Sequence, residues 1–134
     1  MIYHSIRVSY KDDISEAELQ AALDQWHVMA KAIPEVEFYC IGRDIGGEFE
    51  HGAMFAVKDF AALEAFLTHP EGRKTDLMGL PLVKNIAGFD LTDDDDPDLA
   101  EKIADVHRKR FENDPELLAV FSDLTYTGSG SEAV

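Results

Sequence analysis

Cysteine is almost missing from this chain: Cys40 stands alone, so no disulfide can close within it, and a packed core must hold the fold instead. Long apolar runs are missing too. No stretch reaches about 18 apolar residues, the length a membrane-spanning helix needs, and a membrane is not an expected partner. The opening MIYHSIRV lacks the charged and apolar regions of a secretory signal, and a reducing cytoplasm is the expected location. Cations are scarce. Twelve Lys and Arg stand against 27 Asp and Glu, a net charge of −15. Phosphate recognition requires a basic patch, so nucleic acid is not an expected partner.

What is present is an ordinary globular composition, 46% apolar over 134 residues, enough for one core. The charge is unevenly spread. Residues 1–89 hold 14 acidic and 8 basic side chains, whereas residues 90–134 hold 13 and 4. This break predicts a domain over 1–91, an acidic and mainly helical extension over 92–126, and a flexible tail over 127–134, where GSGSEAV offers little to pack.

Periodicity supplies the elements. Ile2, His4, Ile6, Val8 and Tyr10 alternate with Tyr3, Ser5, Arg7 and Ser9, the period of a strand with one apolar face. Ser15 and Glu18 form a capping box ahead of a helical stripe of Leu19, Ala22, Leu23, Trp26, Ala30 and Ile33, which Pro34 stops. Val36 to Ile41 and His51 to Val57 read as strands around a Gly-rich hairpin. Asp59 can cap a second helix with Phe60, Leu63, Phe66 and Leu67 inward, ended at Pro70. A short turn or helical segment follows, and Val83 to Leu91 is the fourth strand. The order β-α-β-β-α-β is that of an α+β, ferredoxin-like subunit. Both helices then cover one sheet face, and the bare face calls for a partner, most simply a second copy. In the extension, Leu99, Ile103, Val106 and Arg110 follow a helical stripe, and a second turn or helix carries Leu117, Leu118, Val120, Phe121 and Leu124.

His4 at the head of strand one, Ile33, Pro34 and Val36 after helix one, and Phe66, His69 and Pro70 after helix two occur together in order. This combination resembles the stress-responsive α/β-barrel (Dabb) family over roughly residues 1–91. The resemblance implies a homodimer in which two sheets face each other and form a dimeric α/β barrel. A plant polyketide cyclase of that family works without metal or cofactor, in a pocket between helices and sheet. Carried over, that pocket would be walled by Val8, Leu23, Trp26, Ala53, Phe66 and Leu67, with His4 and His51 as its strand histidines. Two positions depart from the cyclase: Phe66 replaces a tyrosine, and Gly72 replaces a histidine.

Taken by themselves, the candidates have plain structural readings. His4 and His51 each open a strand, and antiparallel neighbours start at opposite ends. They should therefore lie on the order of 15 Å apart, too far to share a metal. No pair of histidines has a zinc spacing, and the run Asp93 to Asp96 lacks the Gly and Glu of a calcium loop. Neither metal nor cofactor is expected. His69 can bond the last carbonyls of helix two. Cys40 reads as a buried, inert thiol, and Trp26 and Phe66 as core residues able to wall a small apolar pocket. Arg7 lies on the strand face away from the helices, inside a dimeric barrel. A charge there needs a partner, expected across the dimer or in a polar channel.

Two functions fit this pattern. One is a homodimeric, small-molecule-binding or stress-associated protein. The other is a cofactor-independent cyclase- or lyase-like enzyme acting on a small apolar or aromatic carbonyl compound, with His4, His51 and His69 as polar contacts. A haem-degrading or monooxygenase relative has only fold analogy behind it.

Overall fold

A computed structural model describes all of residues 1–134. In chain order the elements are β1 (Ile2–Tyr10), α1 (Glu16–Ala32), β2 (Val36–Arg43), β3 (His51–Val57), α2 (Phe60–Leu67) and α3 (Pro70–Gly79). A 3-10 turn (Leu80–Leu82) leads into β4 (Val83–Thr92), followed by α4 (Leu99–Glu112), α5 (Pro115–Ser122) and β5 (Thr125–Gly128), with a last 3-10 turn at Ser131–Ala133. The sheet order is β2-β3-β1-β4-β5. Its first four strands are antiparallel and ferredoxin-like, and β5 adds in parallel to the β4 edge.

Local chemistry accounts for the helix boundaries. Ser15 accepts a hydrogen bond from the Glu18 amide while Glu18 reaches back to the Ser15 amide, the reciprocal cap expected from the sequence. Asp59 caps α2 through the Ala62 amide. His69 caps the start of the next helix instead of the end of α2: its Nδ1 accepts from the Glu71 amide, and Pro70 occupies the first turn of α3. That bond corrects the expected contact with the last carbonyls of α2.

The inward strand residues meet the helices in two adjoining cores. One joins Ile2, Phe55, Val57 and Leu63 to Leu99, Ile103 and Val106, and the other joins Val8, Val83 and Ile86 to Phe111, Leu117 and Phe121. The extension is thus built into both cores. Six such side chains, at roughly 1.5–3 kcal/mol each, represent a large part of what holds so small a domain.

Residues 127–134, expected from their composition to form a flexible tail, pack against the domain. Gly128, at φ +93, brings β5 so close to β4 that a Cβ there would sit 1.9 Å from the Gly88 carbonyl oxygen, and the Ser129 amide donates to that oxygen at 2.9 Å. The glycines permit a tight turn that packs, where the sequence suggests slack.

The sheet face away from the helices stays open. Phe38, Phe89 and Leu91 are exposed on it. Cys40 alternates with Tyr39 and shares the open side with Phe38, so it is exposed, not buried as its strand position suggests. Arg7 also lies there. Its partner is in the same chain: Nε and an Nη donate to the two oxygens of Asp44 at 2.7 and 2.9 Å, and the guanidinium stacks on Phe49 at 4.7 Å. The charge expected to need a partner across a dimer or in a polar channel thus has one within its own chain.

Candidate functional site

Between the sheet and α1, α3, α4 and α5 lies a cleft of two adjoining hollows. Ile6, Trp26, Thr75, Asp76 and Ile86 form walls of both. The first, a cavity of about 30 Å³, is mainly apolar and includes Val8, Leu23 and Leu80. The second, a cavity of about 60 Å³, is lined by His4, Phe66, Leu67 and Gly72 and, from the extension, by His107, Arg110, Phe121, Tyr126 and Ser129. A mainly apolar wall with a few converging polar groups is the usual composition of a small-molecule pocket.

The polar end is organised around Asp90, an inward-facing residue of β4. One carboxylate oxygen stands 2.7 Å from His4 Nδ1, and the other accepts from Ser129 Oγ at 2.8 Å. The His4 and Asp90 side chains are 7% and 8% exposed. Burial alone would push the Asp90 carboxyl up. The His4 hydrogen bond and charge, with Ser129, outweigh it and hold Asp90 below the ordinary carboxylate range. An ionised carboxylate only accepts, so His4 Nδ1 carries the proton, and in neutral imidazole Nε2 is left as a lone-pair acceptor. The His4 ring is fixed further by edge contact with Phe66, centroids 5.6 Å apart.

Beside this pair lies a second ion pair. Arg110 donates to Asp76 at 3.0 Å, bridging α4 and α3, with the arginine side chain 11% exposed. Burial raises the Asp76 carboxyl against the pull of Arg110. His107, one turn before Arg110, is buried, and its Nδ1 lies 3.4 Å from an Arg110 Nη. Burial first, then the charges of Arg110 and His4, bring His107 down to about 3, so the ring is neutral near pH 7. Tyr126 donates its hydroxyl to the Ser129 carbonyl, and burial raises its pKa. Gly130 closes the wall in the left-handed region at φ +86; a Cβ there would stand 2.6 Å from His107 Cγ.

Of the residues singled out by sequence, His4, Val8, Leu23, Trp26, Phe66 and Leu67 line this cleft. Ala53 is buried in the neighbouring core. His51 pairs in register with Val8, four residues along β1 from His4, on the order of 13 Å away. It rests against Tyr10 with ring centroids 5.6 Å apart. His69 lines a separate surface groove beside Arg73 and Lys109. Only one of the three candidate histidines therefore reaches the cleft. Sequence reasoning missed Asp76, Asp90, His107, Arg110, Tyr126 and Ser129. Asp90 did leave a signal, a carboxylate in phase with Ile86 and Gly88 on the covered side of β4.

A ferredoxin-like α+β domain with a polar-ended cleft beneath its helices is the class of protein that this fold defines. The chain belongs to the stress-responsive A/B barrel domain (Dabb) family, whose profile matches residues 2–93. No curated protein matches it. Among solved structures it is similar to a dimeric ferredoxin-like protein of unknown function from Thermobifida fusca (TM-score 0.62, 18% identity, covering 68% of this chain and 89% of that one). It is also similar to a Dabb family protein with a ferredoxin-like fold from Mesorhizobium loti (0.61, 20%, 68% and 94%), and to the hydroxynitrile lyase of Passiflora edulis (0.63, 16%, 71% and 94%). The matched family region ends at residue 93. His107, Arg110, Tyr126 and Ser129 all lie beyond it.

Proposed function

We propose that this chain is a homodimeric small-molecule-binding protein whose cleft moves a proton on a small apolar or aromatic carbonyl compound. The observation that carries this reading is the His4–Asp90 pair, nearly buried, at the polar end of an apolar-walled cleft. Asp90 fixes the imidazole's tautomer and stabilises the imidazolium formed when it takes a proton. His4 Nε2 removes a proton from the carbon beside the carbonyl. The C–H electron pair moves into the carbonyl as an enolate, and the proton returns to carbon or passes to a leaving group. The apolar side chains of Trp26 and Leu23 at the neighbouring hollow offer contacts to the rest of the molecule. A hydroxynitrile lyase among the structural neighbours supports lyase chemistry on this scaffold. The homodimer is supported by the open apolar sheet face and by neighbours described as dimeric.

A second reading, binding without catalysis, is favoured by Phe66, which brings no hydroxyl to the cleft wall, and by Gly72, which brings no imidazole. Deuterium exchange separates the two. Acetophenone methyl protons, followed by NMR in D2O, should exchange faster with the protein than in buffer. His4→Gln and Asp90→Asn should each lower the acceleration by about a hundredfold. Binding of acetophenone with exchange no faster than in buffer would leave only the binding reading.

A further inference from the structure

We propose that the C-terminal extension supplies the oxygen-recognising half of this cleft: His107 Nε2–H donates to a carbonyl or carboxylate oxygen of the ligand, with the Arg110 guanidinium alongside. The inference rests on the cleft being a ligand pocket and names which chemical group the pocket selects.

The proton's position on His107 follows from its neighbour. Arg110 approaches Nδ1 at 3.4 Å, and a guanidinium can only donate, so Nδ1 accepts. In a neutral ring the single proton is then on Nε2. That atom is fully buried and has no partner in the protein, although the ring lines the cleft and the residue is only 3% exposed. A buried N–H without an acceptor costs about 1–3 kcal/mol, so native structures rarely leave one unused unless something else satisfies it. The matching group is an acceptor. Arg110, already facing the same hollow, favours an oxygen that carries or develops negative charge.

The two imidazoles of the cleft thus have opposite tautomers. Asp90 makes His4 Nε2 an acceptor; Arg110 makes His107 Nε2 a donor. A base at one wall and an N–H at another is what enolisation requires, since the oxygen gains charge as the carbon loses its proton. The family-matched domain provides the first and the extension the second. Gly130 permits this arrangement, because any side chain there would strike the His107 ring.

Trp26 is the only tryptophan and forms a wall of both hollows, so its indole N–H resonance reports occupancy. Acetophenone, benzoate and ethylbenzene have similar bulk, but only the first two carry an acceptor oxygen. Titrated into the full chain, acetophenone and benzoate should bind about tenfold more tightly than ethylbenzene, the value of one buried hydrogen bond. His107→Phe should remove that preference for acetophenone, reduce it for benzoate, which Arg110 still attracts, and leave ethylbenzene binding unchanged. His107→Gln, which keeps an N–H, should retain part of it. Equal binding of all three probes would overturn the role of His107 while leaving the pocket intact. Failure of every probe to move Trp26 would overturn the pocket reading and this inference together. Nitrogen-15 NMR of the unmodified protein supplies a test that needs no variant: the His107 proton is expected on Nε2, and finding it on Nδ1 would overturn the assignment.

Discussion

His107 should make the fold sensitive to mild acid, by an amount the structure specifies. Burial and the nearby cations bring its pKa from 6.5 to about 3 in the folded chain. Below pH 6.5 the unfolded chain therefore takes up a proton that the folded chain refuses, and stability falls as pH falls. The stabilisation is fully present above the unfolded value and lost between about 6.5 and about 3. Between pH 7 and pH 5 this one ring should cost about 2 kcal/mol, a large share of a small domain's total. Asp90 has the same sign but acts lower: its folded pKa lies below the ordinary value, so its contribution is lost only in stronger acid. Asp76, raised by burial, has the opposite sign, stabilising as pH falls through its folded value. Urea unfolding of the native chain and of His107→Gln at pH 7 and pH 5, followed by Trp26 emission or circular dichroism, cancels the groups common to both proteins. The native chain should lose about 2 kcal/mol more than the variant over that interval. Equal losses would refute the placement of His107 as a buried neutral ring.

Two further outcomes follow from packing. Phe111→Ala, which empties a site in contact with Phe121 (ring centroids 5.0 Å apart) deep in the second core, should lower stability by about 3–5 kcal/mol. In urea the extension and the domain should still unfold in one transition. Leu91→Lys, placed on the exposed apolar sheet face, should raise the fraction of monomer seen by sedimentation without changing the monomer's circular dichroism; an unaltered dimer would remove that face from the interface.

The legible parts were those governed by neighbours in sequence. Period two in Ile2 to Tyr10, the Ser15 and Glu18 cap and the stripe of α2 each depend on residues a turn or a pleat apart, and each element forms where its pattern stands. The site depends on something else. His4 meets Asp90 across 86 positions and Ser129 meets Asp90 across 39, separations that leave no local period to read. His107 was hidden by its neighbour: Val106 completed the apolar stripe, and the histidine beside it is covered where the last turn folds back against it at Gly130. Cys40 shows a different failure. Its strand was legible, but burial depends on which sheet face is covered, and Cys40 shares the open face with Phe38.

The extension's place in the sheet explains why it can hold half of a site. A helix docked only on the surface would let His107 and Arg110 wander relative to His4, and an error of about 1 Å in such a pair is costly for proton transfer. Here α4 enters the core that contains Phe55 and Phe66, on the same sheet that carries His4, and β5 pairs with β4 from Asn85 to Gly88, two residues short of Asp90. Ser129, immediately after β5, then bonds the carboxylate that orients His4. The family-matched domain and the extension are thus joined at the core, at the sheet edge and at the carboxylate itself. Loosening β5 would release Ser129 from Asp90 and Gly130 from His107 in a single movement, disturbing the acceptor imidazole and the donor imidazole together.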